Sequence, residues 1–260
     1  MGVKGLLTFL RSYEKKVEIS SIVKDCSVGI DLFWFIHKSK GNLLWIQDYL
    51  EPMIKNATHI YCVVDGKTKK DHVKRKEARI EREKIEDHLE TIRDYVKLNK
   101  ETISKEEQQV IQCYTNTLYM QSWFPTKQYI DYVIKWLENQ GCIIRYASYD
   151  ADQVLVNLEK EGLIHYIISN DSDMLVLGGH TMIHMYNKNL GGLLSRDDLC
   201  QELNLTQEQW NDFMYMCECI KTDDILLVYS FIRVYKELDY ALQKYDLIYP
   251  TRTDSIFPIK

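Results

Sequence analysis

Two acidic pairs stand 21 residues apart, Asp150-Ala151-Asp152 and Asp171-Ser172-Asp173, and the second follows the strand-like run Leu163 to Ile168. Three further aspartates close similar stretches: Asp31 after Ser27-Val28-Gly29-Ile30, Asp65 after Ile60-Tyr61-Cys62-Val63-Val64, and Asp223 after a helical segment. In a parallel sheet such ends share one edge, and open α/β folds bind their ligands there. Carboxylates crowded together raise one another's pKa and resist ionising as a group unless cations join them. Hard divalent ions with oxygen ligands, Mg²⁺ above all, are the usual partners. A single Asp after a strand is commonly a turn or cap residue, and Asp150 also reads as the N-cap of the helix that follows. Two such pairs bracketing one helix, with Asp31 and Asp65 at two other strand ends, favour a shared metal site.

Beside these acids lies a basic stripe. Lys67 to Lys84 holds nine basic residues against four acids, a local +5 in a chain of net charge −5, leaving −10 elsewhere. Lys67, Lys70 and Lys74, then Arg75, Arg79 and Arg82, recur at three- and four-residue steps and so share helical faces. Ion pairs such as Glu77 with Lys74 would suit a merely solvated helix. The stripe begins two residues after Asp65, however, and cations beside a metal cluster are what a highly charged phosphoryl transition state requires.

Other chemistries find little support. The seven cysteines form no CxxC pair and read as buried, reduced thiols of an intracellular protein; Cys217-x-Cys219 lacks partners at zinc spacing. No apolar run has the length of a membrane span, and the N-terminus shows neither a signal-peptide core nor a myristoylation pattern. EF-hand, Walker A and GxSxG patterns are missing. His59, His165 and His184 lie in strand-like runs and read as sheet or core residues, His180 as a surface turn residue.

These side chains need a scaffold. Strands are expected at 27–31, 59–64, 142–146, 163–168 and Met182 to Tyr186, the first two apolar or β-branched as buried parallel strands are. Helices are expected from Gly2 to Ser12, Leu32 to His37, 72–98, Glu106 to Met120, Thr126 to Gln140, 151–161, Ser195 to Leu203 and Thr206 to Ile220, with a last one reaching Gln243. Gly141 and Gly162 stand where helix C-caps belong. The order predicts an α/β protein, a mostly parallel central sheet with one long helical insertion between residues 66 and 140.

Six blocks in order carry a resemblance to the flap endonuclease / XPG-like family of structure-specific 5′ nucleases, and within it to the exonuclease 1 members. They are Met1-Gly2-Val3-Lys4-Gly5-Leu6, Val28 to Lys38, Val64-Asp65-Gly66-Lys67, Tyr149-Asp150-Ala151-Asp152-Gln153, Ile168 to Leu175, and Phe213 to Cys217 leading to Asp223. The resemblance implies a PIN-like, resolvase-like nuclease domain over 1–224, a helical arch at about 68–125, and a reduced helix–turn–helix remnant and tail over 225–260. It implies two Mg²⁺, with Mn²⁺ able to substitute, on Asp31, Asp65, Asp150, Asp152, Asp171, Asp173 and Asp223. Arg75 with Lys69 or Lys70 would be the catalytic cations; Gly2, His37, Lys74 and Arg79 would meet nucleic acid, His37 by stacking on a base.

Implied too are cleavage near 5′ ends, flaps or single-strand/duplex junctions of DNA, in repair, recombination or replication, and a nuclear setting, or a cytoplasmic one for a viral protein. No membrane partner is expected. A ribonuclease of the mRNA-degrading host-shutoff type on the same scaffold, and a non-catalytic nucleic-acid-binding module, are the alternatives. The chain departs from the family pattern in three places. Asp150 and Asp152 stand where glutamate is usual, Asp224 to Ser230 replaces the glycine hairpin expected after Asp223, and no clamp-binding QxxLxxFF tail is evident.

Overall fold

The computed structural model describes residues 3, 5–66, 69–148, 150–220, 224–236 and 238–248, and within them all side chains but those of 69–75, 77, 78, 219, 220, 239 and 245–248. Helix α1 (Leu6–Leu10), a 3₁₀ turn (Arg11–Tyr13), strand β1 (Lys15–Glu18) and helix α2 (Ile19–Ile22) lead into β2 (Ser27–Asp31). Helices α3 (Leu32–Ser39) and α4 (Leu43–Asn56) precede β3 (His59–Val64). Then come α5 (Lys69–Leu98), α6 (Lys105–Ser122), α7 (Lys127–Asn139), β4 (Ile143–Tyr146), α8 (Ala151–Lys160), β5 (Tyr166–Ile168), α9 (Asp173–Val176), β6 (Thr181–Met185) and β7 (Leu190–Ser195). Helices α10 (Arg196–Glu202), α11 (Gln207–Ile220), α12 (Ile225–Tyr235) and α13 (Leu238–Ile248) complete the described chain.

Seven strands form one sheet in the order β1-β7-β6-β5-β2-β3-β4. From β6 to β4 all neighbours pair in parallel; β7 is antiparallel to β6, and β1 to β7. The mostly parallel sheet expected from the alternating pattern is therefore present. Val28 and Ile30 on β2, and Cys62 and Val63 on β3, are fully buried because helices cover both faces. One face packs Leu6, Leu10, Leu155, Trp210 and Phe213; the other packs Phe35, Ile46, Leu50, Met53 and Leu137. The chain runs from β2 outward to β3 and β4, then returns through α8 to β5 on the other flank of β2. The crevice between the ends of β2 and β5 is thus a switch point, the usual place for a ligand.

The insertion is a helical hairpin. Helix α5, 30 residues long and so about 45 Å at 1.5 Å per residue, turns back into α6, which opens with a reciprocal Ser104–Glu107 capping box. Leu89 and Leu118 are buried within it, and Arg93 donates to the Tyr119 hydroxyl.

Two expected elements differ. The strand expected at 163–168 begins only at Tyr166, because Leu163 and Ile164 instead send their amides back to the Leu158 carbonyl and close α8. The single helix expected to Gln243 is broken: Lys236 adopts φ 62°, and its amide caps α12 on the Ile232 carbonyl. Strands β1 and β7 and helix α4 arise where no element was assigned. Among the described residues, no helix is long and apolar enough to cross a membrane.

Candidate metal centre

Six of the seven predicted acids lie within the described residues, and all six gather at one sheet edge. Asp31 ends β2 and N-caps α3, its Oδ1 accepting the amides of Phe33 (3.1 Å) and Trp34 (3.3 Å). Asp65 follows β3, and its Oδ1 accepts the Ala151 amide at 2.9 Å, binding that strand end to the start of α8. Asp150 N-caps α8 through the Asp152 amide at 3.0 Å. Asp171 follows β5; its amide donates to the Ser169 hydroxyl at 3.0 Å, and its Oδ1 accepts the Asp173 amide at 3.1 Å. Asp173 accepts the Val3 amide at 3.0 Å, from 170 residues earlier. In five of the six carboxylates, therefore, a backbone amide fixes one oxygen, which sets where the other points.

The closest convergence involves Asp152, Asp171 and Asp173, whose ligand oxygens lie within 4.8 Å of one another. Electrostatics joins the remaining acids to these. Burial, then Asp65, with Asp171 adding to them, pushes Asp31 up to about 7 against its capping bonds. Burial, then Asp150, Asp31, Asp171 and Asp173, pushes Asp152 up to about 8. Burial and Asp171 raise Asp173 to about 6. The donor set is all oxygen, without thiolate or imidazole, and it is half-buried and self-repelling. Such a set fits hard divalent cations, which would relieve the repulsion that burial amplifies.

The predicted nucleic-acid residues are more dispersed. His37 is exposed near the C-terminal end of α3, six residues after Asp31 and so about 9 Å along the helix. Its ring meets Phe124 edge-on at 5.7 Å and Phe33 at 6.1 Å. Partial desolvation among these rings, with Lys40 in support, lowers its pKa. Arg79 is exposed on α5 and pairs with Glu83 at 3.3 Å. Gly2 and Asp223, and the side chains of Lys69, Lys70, Lys74 and Arg75, lie outside the described residues.

Sequence reasoning missed the supports. Ser169 holds Asp171, and the Val3 amide holds Asp173. Trp123 and Phe124 flank His37 although 86 and 87 residues separate them from it in the chain. The hydroxyl two residues before Asp171 was a readable signal, since Ser commonly binds nearby backbone; the long-range partners left none. Gly66, in contrast, has a clear reason to be glycine. A Cβ there would fall 2.6 Å from the Ser148 carbonyl carbon. Gly66→Ala should therefore destabilise the fold by about 1–3 kcal/mol and displace Asp65, which urea denaturation and divalent-ion titration would detect.

Comparison with known proteins gives a consistent likeness. Residues 141–223 match the XPG I-region. Over 247 residues the chain is 26% identical to DNA damage-inducible protein DIN7 of Saccharomyces cerevisiae, covering 86% of this chain and 54% of that protein. Over 239 residues it is 26% identical to Exonuclease 1 of Xenopus laevis, covering 84% of this chain and 30% of that one. The chain thus spans about half the length of the first relative and under a third of the second. Among solved structures, the catalytic core of Rad2 in complex with DNA substrate shares the fold with a TM-score of 0.62, over 97% of this chain and 76% of that one, at 14% identity.

Proposed function

We propose, because the chain resembles the XPG-like flap endonuclease family in sequence and in fold, that it belongs to that family and is a metal-dependent nuclease hydrolysing phosphodiester bonds of DNA near 5′ ends, flaps or single-strand/duplex junctions. The observation that carries this reading is the convergence of Asp152, Asp171 and Asp173 on one point, with Asp31 and Asp150 in the same field. Relatives named as a DNA damage-inducible protein and an exonuclease support DNA as the substrate and the nucleus as the setting. The arch over 68–125, the remnant over 225–260 and the metal role of Asp223 belong to the same proposal.

Two Mg²⁺ would be held by Asp152, Asp171 and Asp173 together with Asp31, Asp65 and Asp150. When bound, such ions activate a water and stabilise the leaving oxygen of an in-line displacement. The protein's own contribution is orientation: backbone amides hold five of the carboxylates in place before any cation arrives. Without a cation, Asp152 keeps its proton at neutral pH, so cation uptake should release protons. Lys69 or Lys70 and Arg75 would neutralise the scissile phosphate, with Lys74 and Arg79 contacting phosphates further along α5.

His37 would stack on an unpaired base, a contact of about 1–3 kcal/mol when an aromatic ring makes it. His37→Ala should weaken binding of a single-stranded 5′ end by about that amount, whereas His37→Phe should retain it because an aromatic ring remains. Fluorescence anisotropy in chelator would measure both; equal losses in the two variants would exclude stacking.

One observation favours a second reading, a ribonuclease on the same scaffold. Where the family pattern has a glycine turn for gripping a duplex, this chain has α12, packed into the core by Val228, Phe231 and Ile232. Matched DNA and RNA flap, nicked, gapped and single-stranded substrates, with and without Mg²⁺, decide the matter. Mg²⁺-dependent cleavage of the DNA set supports the first reading, RNA alone the second, and cleavage of neither overturns both.

A further inference from the structure

A partly buried polar network lies on the β6–β7 side of the sheet, and the catalytic chemistry does not use it. His184 on β6 is only 2% exposed, and the Glu14 side chain beside it only 7%. Arg11 approaches His184 Nε2 with Nη2 at 2.9 Å. A guanidinium has no acceptor, so Nε2 must accept and the ring proton must sit on Nδ1. Nδ1 faces Glu14 Oε2 at 3.5 Å, close but without a hydrogen bond between them. The Tyr186 hydroxyl donates to Glu14 Oε1, and its ring stands edge-on to His184 at 5.1 Å. Gly192, paired opposite His184 on β7, leaves the space that the carboxylate fills, since any side chain there would collide with Glu14. Burial, with Arg11 in support, lowers the His184 pKa to about 4, so a neutral imidazole lies between the guanidinium and the carboxylate.

Taking His184 and the Glu14 side chain out of water carries a desolvation penalty, and two short routes lead from the network to the carboxylate edge. Arg11 and Glu14 end the N-terminal segment, which the buried Leu6 and Leu10 anchor and whose Val3 amide donates to Asp173. On the other side, His184 precedes Met185. The Met185 amide donates to Asn170 Oδ1 at 2.9 Å, and Asn170 Nδ2 donates to the Met185 carbonyl at 3.1 Å. Asn170 is the residue before Asp171.

We propose that Arg11, Glu14, His184 and Tyr186 are positioning residues for the divalent-cation site, locking the N-terminal segment and the end of β6 on either side of Asp171 and Asp173. The inference rests on the metal-site reading and adds to it a set of residues that touch neither cation nor substrate. It separates the network from ordinary packing by its hydrogen-bond polarity. Glu14→Ala removes the acceptor of the Tyr186 hydroxyl, and His184→Phe removes that of Arg11. Glu14→Gln keeps an acceptor for the Tyr186 hydroxyl in its amide oxygen.

The test is calorimetric titration of Mg²⁺ and Mn²⁺ into the full chain, with hydrogen exchange of the peptides carrying Val3 and residues 170–173 and the metal-free thermal midpoint alongside. Glu14→Ala and His184→Phe should bind about tenfold more weakly, at the low end of what outer-shell partners of metal ligands contribute, and both peptides should lose protection. Glu14→Gln should stay within about threefold of wild type. Should the first two variants fail to fold, Tyr186→Phe, which removes one donor, should show a two- to threefold loss with the same exchange pattern. Folded Glu14→Ala or His184→Phe protein with wild-type affinity overturns the inference, as does an unchanged Tyr186→Phe when those two do not fold. A wild-type chain that takes up no divalent cation overturns the metal reading as well, a result distinct from variants that match a binding wild type.

Discussion

Asp171→Ala and Asp152→Asn should each lower phosphodiester cleavage by at least about 10³-fold, roughly 4 kcal/mol of transition-state stabilisation, while the protein stays folded. The two substitutions act through different bonds. Asp171 would contribute a ligand oxygen and also accepts the Asp173 amide, so its loss should remove a ligand and loosen the next one. Asp152 is the acid most strongly pushed towards its neutral form, by burial and four neighbouring carboxylates. Its replacement by the isosteric amide removes a repelling charge, and metal-free Asp152→Asn protein should be at least as stable as wild type at pH 8. Rate loss without stability loss separates a ligand from a fold-holding side chain. The measurements are single-turnover cleavage of a labelled 5′-flap substrate in Mg²⁺ and urea denaturation in chelator. Turnover within tenfold of wild type for both variants would remove these acids from the reaction.

Why the cluster was legible and its supports were not follows from how each is encoded. A buried parallel strand is an uninterrupted apolar run, so Val28 to Ile30 and Ile60 to Val64 announce both themselves and the aspartates that end them. Helix α8 announces itself through Asp150 at its start and Gly162, with φ 74°, at its end. Strand β1 does neither: Lys15-Lys16-Val17-Glu18 is a charged edge strand whose pairing with β7 depends on partners as distant in sequence as Leu190 to Leu193. Strand β7 carries two glycines that look like a turn, yet Gly192 serves to admit the Glu14 carboxylate. The break at Lys236 is equally hidden, because a left-handed lysine leaves no mark in composition. Edges, caps and partly buried polar networks are set by tertiary neighbours, and a linear reading reaches only what local pattern fixes.

Stability of the metal-free protein should fall as pH rises from 6.5 to 8.5, and Mg²⁺ should abolish the fall. Asp31 at about 7 and Asp152 at about 8 stand far above the ordinary aspartate value near 4. A carboxyl whose pKa is raised on folding is more readily protonated in the native state than in the unfolded one. Its stabilising contribution is complete below about pH 4 and disappears as pH climbs through the native value. His184, lowered to about 4, works in the opposite sense, favouring the fold as pH rises towards its unfolded value near 6.5. Above pH 6.5 little of that contribution is left to change, and Asp173 at about 6 is mostly ionised, so Asp31 and Asp152 dominate the 6.5–8.5 window. Across it they should withdraw about 2–3 kcal/mol, read as a lower urea midpoint in chelator. A bound divalent cation holds both carboxylates ionised, so in Mg²⁺ the same titration should be flat, with proton release on binding near pH 7. Metal-free stability that is level or rising over this window would mean that these carboxylates do not repel one another, and the cluster would lose its physical motive for taking up cations.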